Sequence, residues 1–310
     1  MLQKVTVPVK KQLTYQVQEL FKHYPDYPGQ LKKQTRGRNV IKPESAADYY
    51  RHVADYYDDD ALDFEQRYEE NPVLKRIRAE FREITEEHDF REALEIGCGP
   101  GFDVVYFASR FPDRRVCAID VSPGMIGLAR KNTEAQNLKN TQLAAGSVED
   151  IAACFPGRKF DLVYVYFGGL NTVVDLELAA GHINRICTAD ATLVLTFVNR
   201  YYITEIPLWL ASGRFDKAFE RICNRWRGYS DHRKIPSRPY SAHDIKRAFS
   251  SGFRITKTRG FSIFYPAWYR SHLLGRFGKV SDWLWKADKL ISSTPFWNTG
   301  EYSLYVMKKR

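Results

Sequence analysis

The sequence predicts an α/β fold built on a doubly wound, mostly parallel sheet with helical additions at both ends. Three observations predict it. A short apolar run, Ala93-Leu94-Glu95-Ile96, leads into the glycine turn Gly97-Cys98-Gly99-Pro100-Gly101, and Asp103 to Arg110 then has the pattern of a helix. Further apolar runs at 116–120, 160–166 and 191–198 alternate with helical stretches at short spacing, the mark of parallel strands joined by crossover helices. Near the C-terminus, Tyr302, Leu304 and Val306 repeat with a period of two, as one face of a strand does.

Each element has a local reason. Residues 1–43 form a basic arm in which Tyr15 to Phe21 is a short helix candidate, broken by Pro25, Pro28 and Gly29. Residues 44–92 hold no glycine and one proline, Pro72, and read as a helical cap. Asn71-Pro72 is a helix start, because Asn caps and Pro suits the first turn, and apolar positions 73, 74, 77, 81 and 84 follow at helical spacing. Val121-Ser122-Pro123-Gly124-Met125 opens the helix after the second strand, and the fourth strand runs out at Phe167-Gly168-Gly169-Leu170-Asn171. Residues 93–310 make the main domain, with insertions at 199–240 and 265–299. The first holds a helix through Trp209 and a basic segment, Arg221 to Arg238. Between the insertions, Tyr240 to Asp244 caps a helix and Ser251 to Ile255 starts another strand. The second insertion is dense in aromatics, and its helix candidate carries Val280, Trp283, Leu284, Ala287, Leu290 and Ile291.

Glycines at 97, 99 and 101 let backbone pass close to a ligand and adopt positive φ, and the helix behind them offers free N–H groups. The dinucleotide spacing G-x-G-x-x-G fails here, because its third glycine falls on Phe102 or Val104. The spacing from Glu95 to Gly101 is instead E-x-G-x-G-x-G, and Asp120 ends the next strand nineteen residues after Gly101. This resembles motif I of the class I S-adenosylmethionine-dependent methyltransferases. The resemblance covers about residues 44–310 and is strongest between 91 and 200.

The resemblance implies a Rossmann-like seven-stranded sheet whose last strand is antiparallel, and S-adenosylmethionine as cofactor. It implies that the loop of Glu95, Gly97, Cys98, Gly99 and Gly101 lies against the amino-acid part of the cofactor. Asp120 would take the two ribose hydroxyls, since a carboxylate has acceptors for both donors of a vicinal diol. Val121, Met125, Val148 and Phe167 complete the expected cofactor set. Ala145-Gly146-Ser147-Val148-Glu149-Asp150-Ile151 stands where the family often has G-D-A-E-x-L. Ser147 replaces the adenine-reading Asp, a departure that leaves adenine to the backbone beside it. In the cap, Tyr56 and Tyr57 match an aromatic stretch that closes over the cofactor. Tyr57 either covers the sulfonium with its π face or packs the cap.

The acceptor is less defined. Tyr166 and Asn171, at the end of the fourth strand, are candidate positioning groups, and His182 in the next helix is a weaker catalytic candidate. Glu205, His232 and His243 are further polar groups, and no base is singled out. Trp209, Phe264, Tyr265, Trp268, Tyr269, Trp283, Trp285 and Trp297 are read in three ways: an apolar acceptor lid, a cover for the sheet edge, or a membrane-facing surface.

Composition narrows the class. An apolar share of 44% supplies a full core, and no run approaches the ~18 apolar residues that span a bilayer. Met1 to Val5 lacks a secretory leader, and five scattered cysteines without a C-x-x-C pair suggest a reducing, cytoplasmic setting with no metal site. Cys117, Cys154 and Cys187 read as small core residues. The net charge of +10 is uneven: +7 over 1–42, −9 over 43–93, −2 over 94–198 and +14 over 199–310. Basic ends suit an anionic partner, so an RNA acceptor stands beside a small-molecule or lipid-like one. Against RNA or DNA base chemistry, Phe167-Gly168-Gly169-Leu170-Asn171 replaces the (D/N)-P-P-(Y/F) motif of amino-directed enzymes, and no Pro-Cys pair is present.

Overall fold

A computed structural model describes residues 45–224, 228, 234–235 and 237–310, with backbone alone at 276 and 277. The basic arm 1–43 and His232 lie outside the described residues.

The cap is three helices: α1 (Ala46–Asp60), α2 (Phe64–Glu69) and α3 (Pro72–Glu86). Asn71 caps α3 as its sequence implies, its Oδ1 accepting from the N–H groups of Val73 and Leu74, both at 3.1 Å. Its Nδ2 donates to the Trp268 carbonyl at 2.9 Å, tying the cap to the C-terminal insertion. Asn71→Ala is therefore expected to cost about 1–2 kcal/mol, the upper range for a lost cap. Urea unfolding reads this, and a midpoint unchanged from wild type would remove the cap from the stability account.

The main domain alternates β1 (Glu92–Ile96), α4 (Phe102–Arg110), β2 (Arg115–Asp120), α5 (Pro123–Ala135), β3 (Thr141–Ala145), α6 (Ile151–Cys154), β4 (Phe160–Val165), α7 (Leu176–Ile186) and β5 (Cys187–Val198). It continues through α8 (Glu205–Ala211), α9 (Phe215–Ala218), α10 (Ala242–Phe249), β6 (Phe253–Phe261), α11 (Leu273–Phe277), α12 (Lys279–Ile291) and β7 (Tyr302–Lys309). The sheet order is β3-β2-β1-β4-β5-β7-β6. β1 to β5 are parallel, and β7 runs antiparallel to both β5 and β6.

Period-2 alternation divides the strands between two cores. Leu94, Cys117, Val163 and Leu193 face α7 and α10, meeting Ile183, Ile245 and Phe249. Ala93, Val116, Leu162 and Val194 face the other way, toward α3 and α4, where Val73, Ile77, Phe81, Val104 and Phe107 are fully buried. The cap helix α3 thus belongs to the sheet's own core and is no detached appendage. Cys117 and Cys187 are core residues as expected, whereas Cys154 is only half-buried. No helix among the described residues is long and apolar enough to cross a membrane.

Strand order reverses between β1 and β4, whose carboxyl ends open a crevice where ligands collect in such sheets. The glycine turn after β1, the end of β2 and the turn after β4 all meet there.

Candidate functional site

The turn after β1 is shaped by three left-handed glycines, Gly97 (φ +73), Gly99 (+53) and Gly101 (+78). A Cβ at Gly101 would stand 2.9 Å from the Ala129 Cβ, so this glycine lets α4 and α5 pack. Nothing lies within 4 Å of the place a Gly99 Cβ would take, so this glycine opens onto the crevice. Gly97 N–H donates to the Ile119 carbonyl at 2.8 Å, holding the turn against β2.

Asp120 ends β2 and clasps that turn. Its Oδ2 accepts from Gly99 N–H at 2.8 Å and its Oδ1 from Ser122 N–H at 2.9 Å. Burial pushes its carboxyl up to about 6 against the pull of these two donors, and Asp58 pushes the same way. Each oxygen retains acceptor capacity after one bond, which suits a pair of hydroxyls. Asp58, on α1, accepts from Ser122 Oγ and, at 2.9 Å, from Gly124 N–H. It seats the cap on the start of α5. Sequence reading passed over Asp58 because it stands in an acidic run, Asp58-Asp59-Asp60, that resembles a solvated face.

Glu95 is buried beneath the turn, and its Oε2 has no hydrogen-bond partner among the described residues. Burial, and then Asp103, pushes its carboxyl well above the usual range; Arg78 pulls it down. Asp103 opens α4 and pairs with two cap arginines, Arg78 Nη1 and, at 2.7 Å, Arg82 Nε. The Arg78 guanidinium lies 4.8 Å from the Phe167 ring centroid and 4.6 Å from that of Tyr68. These arginines carried no motif in the sequence, and their facing carboxylate is contributed by another element.

The turn after β4 is strained. Phe167 has φ +51, unusual for a bulky side chain, and packs on Phe81 and Tyr302 at 5.2 and 5.8 Å. Such strain gathers at ligand sites. Over the crevice, α1 spans both sides: Tyr50 hydroxyl donates to Glu149 Oε1 at 3.1 Å and Tyr49 hydroxyl to the Val173 carbonyl at 3.3 Å. Tyr57 is half-buried and packs edge-on against Tyr56 at 5.2 Å.

The remaining expected residues fall as follows. Ser147 turns its hydroxyl and its N–H to Asp150 Oδ2, at 2.7 and 2.8 Å, in a capping box. Its donors are thus occupied by the chain itself. Val148 and Met125 are buried, Val121 and Cys98 line the two turns, and Cys98 is a buried thiol that burial pushes well up.

Tyr166, Asn171 and His182 do not converge. Tyr166 points into the core, its hydroxyl meeting Thr85 Oγ1 at 2.5 Å and donating to the Phe81 carbonyl at 3.1 Å. Burial, with Asp103, pushes that phenol well above its ordinary range, so it keeps its proton at neutral pH. Asn171 spends its amide on backbone, donating to the carbonyls of Val198 (3.2 Å) and Arg238 (2.6 Å) and accepting from Val198 N–H (2.9 Å). His182 is half-buried midway along α7, about 9 Å below that helix's start at the crevice. Tyr166 and Asn171 hold the walls of the site, and His182 belongs to the layer beside it.

The two insertions are joined by a buried carboxylate. Glu205 Oε2 accepts from Arg221 Nε at 2.7 Å and Oε1 from Tyr269 hydroxyl at 2.8 Å. Burial raises its carboxyl, but Arg221 and then Arg270 outweigh this and hold it below the usual range. The aromatics divide into two sets. Trp209, Tyr265 and Trp285 are buried, and Trp297 packs on Tyr305 of the inner strand β7 at 5.2 Å, whereas Phe264 and Trp283 face outward. A separate cavity of about 200 Å³ lies between the starts of α7 and α10. It is charged, with Arg200 paired to Asp244 (3.4 Å) and Arg247 to Glu177 (2.8 Å).

Residues 93–190 match the family model of the methyltransferase domain. A tRNA (guanine-N(7)-)-methyltransferase of Chlorobium phaeobacteroides is 33% identical over 99 residues, 32% of this chain and 48% of that protein. A demethylmenaquinone methyltransferase of Thermus thermophilus is 30% identical over 105 residues, 34% of this chain and 46% of that protein. The chain thus spans about half the length of these curated relatives. A Listeria monocytogenes structure titled as an S-adenosylmethionine-dependent methyltransferase superposes with a TM-score of 0.51 at 14% identity, covering 75% of this chain and 99% of that one. The fold is that of the Rossmann-like methyltransferases.

Proposed function

We propose that this chain, whose core is a class I S-adenosylmethionine-dependent methyltransferase domain, transfers a methyl group to a small-molecule or lipid-like acceptor. One observation carries the cofactor half of this reading. Asp120 and the Gly99 turn form a clasped carboxylate beside open space, at the carboxyl ends of β1 and β2. The residues fit the cofactor: a buried acceptor pair for a diol, glycines that admit close backbone, and in Glu95 an unused buried oxygen for a cationic donor.

When bound, S-adenosylmethionine supplies an electrophilic methyl on a sulfonium. The chain's part is then alignment, since an in-line displacement gains most from held geometry. Asp120 accepts the ribose hydroxyls. A cation beside Glu95 Oε2 draws that carboxyl back toward its ionised form. Tyr49 and Tyr50 pin α1 across the crevice and exclude water, while Asn171 fixes the wall between β4 and β5. No residue is assigned as a base, and an acceptor that ionises near neutral pH requires none.

The acceptor half rests on the insertions, which Glu205 of α8 joins through Arg221 and Tyr269 beyond the carboxyl end of β5, where an acceptor approaches. The relatives' names span a quinone precursor and a tRNA base, so similarity of the cofactor core leaves the acceptor open. RNA is the second reading, favoured by the +14 balance of residues 199–310. Incubation with methyl-tritiated cofactor and a fractionated cell extract tests both. Label in organic-soluble or small aqueous fractions supports the first reading, and label in RNA replaces it by the second.

Affinity for S-adenosylhomocysteine is expected to depend on pH through Asp120. The ionised carboxylate is the form that accepts two hydroxyls, and its pKa stands at about 6. Affinity is flat above pH 7 and about tenfold weaker at pH 5, because binding then competes with a proton. The sign for folding is opposite: a raised carboxyl favours the protonated folded state, so this group's contribution to stability declines as pH rises through 6. Calorimetry from pH 5 to 8 measures the first effect, and Asp120→Asn is expected to flatten it. A wild-type profile already flat would exclude Asp120 from the diol site.

A further inference from the structure

The helix α12 (Lys279–Ile291) has two apolar faces, and the structure accounts for only one. Its inner face is fully occupied. Trp285 packs on Tyr265 with ring centroids 5.0 Å apart. Asp288 accepts from the N–H groups of Ile263, Phe264 and Tyr265 at 2.9, 2.6 and 3.1 Å. The flanks are pinned to α3 by Arg76 with Asp282, at 2.9 Å, and by Lys289 with Glu80.

The outer face carries Trp283 and Leu290, seven residues apart and 66% and 78% exposed, with Val280 53% exposed beside them. Seven residues is two turns, so Trp283 and Leu290 share one line along the helix. From Val280 to Leu290 the apolar line is about 15 Å long. Single exposed apolar side chains are ordinary, but a helix-long stripe including tryptophan marks a contact surface. The charges beside it have one sign. Asp282 and Lys289 are engaged with α3 and Asp288 is buried, which leaves Lys279 and Lys286, both exposed, on the outer half. Phe264 and Phe296, also exposed, add apolar surface where the inner loop and the segment after the helix emerge.

We propose that the outer face of α12 docks on an anionic lipid surface, with Trp283 and Leu290 entering the headgroup boundary and Lys279 and Lys286 meeting its negative charge. Charge decides for lipid: an apolar line flanked by Lys279 and Lys286, with the neighbouring Asp282 neutralised by Arg76, within a segment of balance +14, matches the composition of interfacial helices. Lysine stems also lie along apolar surface while their ammonium groups reach the headgroups. This surface is separate from the cofactor crevice and stands whether or not methyl transfer is the activity.

The test is co-sedimentation of the full chain with vesicles of phosphatidylcholine alone or enriched in phosphatidylglycerol. Wild type is expected to bind the anionic vesicles, less at high salt. Trp283→Ser with Leu290→Ser should weaken binding more than tenfold, and Lys279→Gln with Lys286→Gln about fivefold per lysine. Thermal midpoint and S-adenosylhomocysteine affinity should stay at wild-type values in both variants. Failure of wild type to bind anionic vesicles overturns the proposal. So does binding that survives both double substitutions but vanishes when residues 1–42 are deleted. A concentration-dependent dimer that the Trp283 and Leu290 substitutions dissolve would make the stripe an interface between two copies instead.

Discussion

Asp120→Ala is expected to raise the dissociation constant for S-adenosylhomocysteine more than a hundredfold while the protein stays folded. Two hydrogen bonds to a charged acceptor are worth about 1.5–3 kcal/mol each, which places the combined loss between two and four orders of magnitude. The substitution also frees the N–H groups of Gly99, which is half-buried at the crevice, and of Ser122, which is buried. Gly99→Val is the companion test. No atom lies within 4 Å of the new Cβ, so the chain accommodates the side chain and meets mainly the cost of φ +53, about 1–2 kcal/mol. The valine then occupies the crevice. Gly101→Val would be uninformative, because its Cβ collides with Ala129 and the fold itself is disturbed. Calorimetry showing either Asp120→Ala or Gly99→Val binding as tightly as wild type would refute the cofactor site.

Asp103→Ala is expected to give the largest loss of stability. Asp103 is 1% exposed and is the carboxylate partner of Arg78, itself buried, and of Arg82. Removing one member of a buried charge cluster costs about 3–5 kcal/mol, mostly because the remaining charge has lost its compensation. For a domain of this size that lowers the melting temperature by roughly 10 °C. Arg82→Met, at the rim of the same cluster, should cost less, since Asp103 keeps Arg78. Thermal unfolding of the two variants compares them; a change below about 2 °C in Asp103→Ala would show that the cluster contributes little net stability. The cluster also joins cap to core, so its loss should weaken cofactor affinity secondarily through the seating of α3.

Local signals carried well into three dimensions wherever the determining atoms are neighbours in sequence. Asn71-Pro72 starts α3, Ser122 caps α5, and Ser241 with Asp244 forms a capping box at α10. Each cap closes within three residues. The strands at 93–96, 116–120 and 160–165 were readable because burial on both faces demands unbroken apolar runs. Signals that depend on distant partners did not carry. Tyr166 directly follows β4, one residue past the strand's last, and its hydroxyl is directed to Thr85 and Phe81 of the cap, more than eighty positions earlier in the chain. Asn171 was readable as polar and well placed, but not as an amide consumed by Val198 and Arg238.

By itself, then, the sequence determined the sheet, the glycine turn, the acidic end of β2 and the class of cofactor those imply. Period, capping and φ preference are properties of a few adjacent residues, and the E-x-G-x-G-x-G spacing is one of them. The tertiary structure alone decided which polar groups remain available. It committed Ser147 to Asp150 and Tyr166 to the core, seated the cap through Asp58, and left Glu95 Oε2 with an open acceptor. It also divided the aromatic insertion into a buried set and an outward stripe on α12. Hydrogen-bond capacity and solvent exposure are settled by what packs against a group, and that neighbour is three residues away for Ser147 and ninety-nine for Tyr50.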